Sequence, residues 1–202
     1  MMAMDWVVIV VGFVPAVVLH ELAHGWVANR LGDATAKEAG RLTLNPLRHV
    51  DLMGSILLPA LLIVTRAPYV FGWAKPVPIN IARLRNPRRD LALVALAGPI
   101  MNLLLATAGA IILKLIPSVE WRAILTVAIY INIGLAVFNL IPVPPLDGSR
   151  LVFSLLPIGA ARIYAQLEGV GMLIVFALVS FGILDQIIWP VMKAISHLLG
   201  VS

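Results

Sequence analysis

The sequence predicts an all-α polytopic membrane protein: about four transmembrane helices, a re-entrant or short segment, a small extended or β-hairpin element and a short C-terminal helix. Three observations carry this expectation. Of the 202 residues, 61% are hydrophobic and 12% charged, with a mean hydropathy of +1.00. A soluble domain of this size could not cover so much apolar side chain with its own polar surface. The apolar residues are also gathered into runs of bilayer length. Between those runs no polar stretch reaches domain size, so residues 1–202 read as a single integral-membrane domain whose chemistry is built from membrane helices and short loops.

The first segment covers residues 5–29, apolar through Leu19 and then polar at His20, Glu21 and His24. It lacks a basic leader and a small-residue cleavage pattern, and reads as retained rather than as a signal peptide. In the loop that follows, Gly40-Arg41-Leu42-Thr43-Leu44-Asn45 alternates like a short strand. Residues 52–64 are apolar but short and carry Pro59, which suggests a re-entrant or interfacial piece instead of a span. Residues 67–87 contain Pro68, Pro76, Pro78 and Pro87 and read as extended chain and turns.

Two long apolar runs come next, 90–116 and 121–141, the first with Ala97-Gly98-Pro99 and Asn102 in its interior. The second breaks at Pro142-Val143-Pro144-Pro145 and resumes at Leu146-Asp147-Gly148. A further span is expected over 165–184. Residues 186–199, with Trp189-Pro190, suggest an interfacial helix or short extension. There is no internal repeat of the kind that builds secondary transporters.

Charge sets the expected orientation. Ten of the fifteen basic residues lie between Arg30 and Arg89, and a crossing at 52–64 would strand six of them outside. If that piece dips in and returns, all ten share the cytoplasmic side, as the positive-inside rule requires. The formal charge of +5 is then explained by loops at a lipid bilayer, and no nucleic-acid partner is expected. Cysteine is absent, which excludes disulfides, thiolate zinc sites and a cysteine nucleophile.

The chemistry is concentrated in His20-Glu21-Leu22-Ala23-His24. Residues four apart share one helix face, so the two imidazoles can hold one metal, and Glu21 can take a proton from a water at its open position. Three ionisable side chains at the end of a membrane helix are expensive and call for a function. A catalytic zinc takes three protein ligands and a water. Among the remaining acids Asp147 stands out: it follows a proline-broken helix at the depth of the histidines, with Gly148 leaving room for close approach. Helix capping is the plainer role for Asp147, as solvation is for the lone His49. Asn102 reads as helix–helix glue, with Gly98-Pro99 giving a close contact and a kink.

HELAH followed by Asn139-Leu-Ile-Pro-Val-Pro-Pro-Leu-Asp-Gly148 resembles the paired signature of the site-2 protease family of intramembrane zinc metalloproteases. Stretches 40–51, 71–80 and 97–102 are similar to its short prokaryotic members, which lack PDZ and CBS domains. The resemblance implies one zinc per chain, held by His20, His24 and Asp147, with Glu21 as general base. It also implies a role for Asn139 in holding the substrate or the developing oxyanion. Expected substrates are transmembrane segments of single-pass membrane proteins, cut in regulated intramembrane proteolysis at a cell membrane, with the active site toward the cytoplasm. Residues 71–81 could add an edge to an extended substrate or anchor on the membrane through Tyr69 and Trp73. A non-catalytic membrane protein that handles metal is the alternative, and Glu21 argues against it because storage needs no such carboxylate.

Overall fold

The computed structural model describes residues 2–66 and 72–201, with side chains from residue 12 onward. It is helical, and no strand occurs among the described residues. Helix α1, Met2–Arg30, is followed by a single turn, α2 (Thr35–Glu38). A π-helical stretch, Leu52–Leu57, runs into α3, Leu58–Val64. The long α4, Pro87–Leu113, starts with proline at its first position, where a missing N–H costs nothing. The Asp90 carboxylate turns back there to accept the Asn86 backbone N–H at 2.8 Å. Helix α5, Val119–Asn139, starts at Ser118 and ends just before Pro142. Four shorter helices complete the chain: α6 (Asp147–Leu155), α7 (Ile158–Ala165), α8 (Gly171–Ser180) and α9 (Ile183–Leu199).

Helices α4 and α5 are long and apolar enough to cross a bilayer, and α7–α8 make a third candidate if that pair, bent by 68°, counts as one span. Such side chains as Leu104, Ile111 and Trp121 are exposed on α4 and α5, as lipid-facing residues are. Residues 52–64 are too short to span, matching the expectation for that segment.

Two expectations need correction. Residues 40–45 form bends and not a strand: His49 Nε2 meets the Thr43 carbonyl at 2.9 Å, and the Arg41 guanidinium reaches across to the 75–76 backbone. Side chains satisfy that backbone in place of a ladder. The run 165–184 is not one straight helix. It breaks at residues 166–170, where Gly171 comes so close to the Pro144 carbonyl that a Cβ would stand 2.2 Å from the oxygen. The short C-terminal helix expected at 186–199 forms as α9, and its Ile188, Met192, Ile195 and Leu199 pack on the core formed by Ala106, Ala110, Ile129 and Ile133.

Helices α1, α4 and α5 pack on one another. The end of α1 and the start of α4 lie together, since Arg85 N–H donates to Leu31 O at 3.1 Å. A second core, Ala28, Leu84, Leu91 and Val94, closes that end of the molecule, with Ile79 and Phe153 against it. Counting from there, His20 on α1 and Gly98 on α4 are each about 15 Å along their helices at 1.5 Å per residue. Tyr69 and Phe71, considered above as membrane or substrate contacts, lie outside the described residues.

Candidate metal centre

His20 and His24 stand one turn apart on α1, both buried, with their rings edge to face at 4.6 Å between centroids. Their Nε2 atoms are 3.0 Å apart. Asp147, the first residue of α6, brings its Oδ2 to 3.1 Å from His20 Nε2 and 3.0 Å from His24 Nε2. It does not cap the helix: Leu146 occupies the cap position, without a side-chain hydrogen bond. Three residues 127 positions apart at most therefore present one donor atom each to a single point.

The protonation pattern tests whether this cluster fits a cation. His20 Nδ1 is 2.6 Å from Asn102 Oδ1, and His24 Nδ1 is 2.7 Å from the Val94 carbonyl. Asn102 has its amide oriented by its own bonds, because Nδ2 donates to Ala16 O at 3.1 Å and to Asn132 Oδ1 at 2.9 Å. Both Nδ1 atoms thus face pure acceptors and carry the proton. Each Nε2 is left with a lone pair, directed at the other and at a carboxylate oxygen. Three electron-rich atoms converging in a buried pocket repel unless a cation lies among them. Tetrahedral ligands 2.0–2.1 Å from zinc stand about 3.3 Å apart, close to the spacing seen here. The residues fit zinc.

Close approach of the helices makes this cluster possible. A Cβ on Gly98 would lie 2.4 Å from His24 Nε2 and 2.5 Å from His20 Nε2, so only glycine lets α4 pass against the imidazoles. Gly148 serves a different contact from the one expected. A Cβ there would meet the Leu140 carbonyl oxygen at 2.2 Å, so its small size lets α6 fold against the end of α5.

Glu21 is half-buried, and its Oε2 accepts the backbone N–H of Val77 at 2.8 Å. The segment carrying Val77 has no regular structure and is tied down at several further points. Lys75 N–H donates to His49 O at 2.9 Å, Trp73 N–H to Gly54 O at 3.1 Å, and Asn80 N–H to Asp33 Oδ2 at 2.6 Å. Asn139 is not bonded to the donor cluster; its Nδ2 donates to Leu135 O, one turn back in α5, at 2.9 Å. His49 is buried, not solvated as a lone loop histidine would be, and lies outside the donor group.

Sequence reasoning missed Asn132 and Val77. Asn102 does bond between helices as expected, and it also orients His20. An "Asn102–Asn132" relay has no linear signature, and a backbone N–H has none at all; the only hint was the cost of two amides within apolar runs.

Comparison with known proteins gives the family. Residues 114–182 match the family model described as Peptidase family M50. The chain is 36% identical to "Putative zinc metalloprotease YwhC" of Bacillus subtilis over 196 residues, covering 92% of this chain and 86% of that one. It is 34% identical to "Putative zinc metalloprotease Rip2" of Mycobacterium tuberculosis over 147 residues, 71% of this chain and 55% of Rip2, so the match spans about half of that relative's length. No solved structure matches the chain. With a buried His-His-Asp donor set in place and YwhC matched over nearly its whole length, the chain belongs to peptidase family M50, the zinc metalloproteases of the site-2 protease type.

Proposed function

We propose that this intramembrane zinc metalloprotease cuts transmembrane segments of single-pass membrane proteins, with His20, His24 and Asp147 holding one zinc and Glu21 acting as general base. The observation that carries the reading is the convergence of two imidazole lone pairs and a carboxylate oxygen, with both Nδ1 protons committed elsewhere. Bound zinc supplies Lewis acidity and brings the pKa of a water toward neutrality.

The remaining steps belong to the chain. Glu21, held at Oε2 by Val77 N–H, keeps Oε1 for the proton of the attacking water. As the water oxygen bonds to the substrate carbonyl carbon and the C–N bond breaks, Glu21 passes that proton to the departing amine. Asn139, eight residues before Asp147, is proposed to meet the substrate carbonyl by turning its amide from Leu135 O. A helical substrate bond is shielded by its own hydrogen bonds, so glycine or proline near the cut should speed cleavage.

In the same reading α1, α4, α5 and the bent α7–α8 pair are the four spans of a multi-pass cell-membrane protein. The metal centre faces the cytoplasm with the 30–89 loops. The Arg85–Leu31 contact, which brings both ends of those loops together, supports this. The chain lacks cysteine, so single cysteines replacing Asp33 and Asn86 can be labelled cleanly; reaction from opposite sides of the membrane would refute the topology. The test of the mechanism is Glu21→Gln: one zinc per chain retained and cleavage of a model substrate abolished. Full activity in that variant would end the assignment of the base, and absence of zinc from the unmodified protein would end that of the ligands.

A further inference from the structure

We propose that an open cavity of about 450 Å³ between the 39–50 loop and the 75–78 segment binds the headgroup phosphate of an anionic phospholipid. Arg41, Arg48 and Lys75 line it together with Leu47, Val50 and Pro78, and no acidic side chain does. Arg41 is 7% exposed, yet no ion pair to it exists among the described residues. Its Nη2 donates to Lys75 O at 2.7 Å and Pro76 O at 3.4 Å, while Nε, also buried, has no partner. A guanidinium stays charged at any working pH, and a buried cation needs a counter-charge. The nearby carboxylates are committed: Glu38 to Arg83, Asp33 to Thr35 and Asn80, Asp51 to Gly54. Among the described residues carbonyl oxygens alone hold the Arg41 guanidinium, so an anion is the missing component.

The surroundings say where that anion comes from. Leu44 is 65% exposed, Leu47 77%, Leu52 65% and Met53 63%. Four large apolar side chains on one loop region belong in the acyl boundary of a bilayer, with the basic residues at headgroup level. A phosphate without a neighbouring amine, as in phosphatidylglycerol, meets three cations there unopposed.

The cavity also adjoins, along the chain, the residue that holds the proposed base. Lys75 and Pro76 form one side of it, and the next residue, Val77, holds Glu21. A lipid phosphate bridging Arg41, Arg48 and Lys75 would therefore stiffen the stretch that positions Glu21. This coupling rests on the proposed role of Glu21; the binding site does not.

Delipidated protein in neutral detergent, titrated with phosphatidylglycerol, phosphatidylcholine, glycerol phosphate or an acidic peptide and observed by native mass spectrometry, tests the site. Phosphatidylglycerol should bind in preference to all three others. The double variant Arg48→Gln/Lys75→Gln, altered only at exposed side chains, should weaken it by about twenty-five-fold, at about a factor of five for each cation lost. Zinc content should not change. Arg41→Met should weaken binding further; if it fails to fold, the double variant decides. Equal binding of phosphatidylcholine, equal binding of glycerol phosphate, preference for the peptide, or an unaffected double variant would each overturn the proposal. All these readouts are independent of proteolysis, so failure of the site and failure of the protease mechanism remain distinguishable.

Discussion

Gly98 of α4 lies against His24 of α1 so closely that a Cβ on it would stand 2.4 Å from the imidazole Nε2. The contact falls on the nitrogen that carries the lone pair, so the spacing of two helices and the geometry of the donor set are one property. Gly98→Ala is accordingly expected to disturb the metal site before it disturbs the fold. The added methyl must displace either an imidazole or α4, and both imidazoles are fixed by Nδ1 bonds. Zinc affinity, measured by competition with a chelating dye, should fall about tenfold to a hundredfold, the range for perturbing groups that support metal ligands. Unchanged affinity would mean that the helices separate without cost.

The relay behind His20 gives a graded version of the same test. Asn102→Leu removes the acceptor for His20 Nδ1 and leaves Asn132 Oδ1 and Ala16 O without their donor. Asn132→Leu removes only one of two donors' acceptors and leaves Asn102 bonded to Ala16 and His20. Zinc affinity should fall in Asn102→Leu by about tenfold or more and clearly less in Asn132→Leu. The reverse order would show that Asn132 acts by some route other than through Asn102.

Most of the metal centre was legible because its chemistry is carried by side chains at revealing spacings. His20 and His24 sit one helical turn apart, and Asp147 follows a proline break that has no purpose in an ordinary span. Gly98 was legible as a close contact but not as a contact with imidazole, because sequence does not say which helix lies across from it. The three long apolar stretches that became α1, α4 and α5 were placed within a few residues, since length and hydropathy act locally. The strand read at 40–45 failed for a different reason. Alternation of polar and apolar residues needs a partner strand to mean anything. Here Arg41 and His49 take up the available carbonyls at Lys75, Pro76 and Thr43 instead.

Asp33 sits in the loop after α1, fully buried, and links that loop to the segment beside Glu21. Burial opposes ionisation of its carboxyl, but hydrogen bonds from the Thr35 hydroxyl and from the Thr35 and Asn80 N–H groups outweigh it. With the Arg83 charge adding, they hold the carboxyl below its usual range. A depressed folded pKa contributes stability that is fully present above the unfolded value of about 3.9 and is lost as pH falls through the folded one. Amide exchange at residues 77–80 should therefore be slow and pH-independent in its protection near neutrality and lose protection below about pH 4. Asp33→Asn should loosen the same amides at neutral pH, by about 1–3 kcal/mol for a buried charge-assisted bond. Protection that survives acid and the substitution alike would show that the segment is held by its other ties.

The last prediction isolates a single backbone hydrogen. Val77 N–H donates to Glu21 Oε2 at 2.8 Å, and Val77 is also buried, so a side-chain substitution alone would confuse packing with positioning. Val77→Pro deletes the N–H while keeping an apolar side chain; Val77→Ala trims the side chain and keeps the N–H. If the bond positions the base, kcat should fall about tenfold to a hundredfold in Val77→Pro, the cost of misplacing a reacting group by about an ångström. Zinc content should be unchanged in both variants and KM nearly so, because neither change touches a ligand and the base acts only in the chemical step. Val77→Ala should retain most of its activity. Were the two variants to lose kcat equally, the segment would matter for packing against α1, where Val77 Cγ1 lies 3.0 Å from the place a Gly25 Cβ would take. The hydrogen bond to Glu21 would then have no separate part in catalysis.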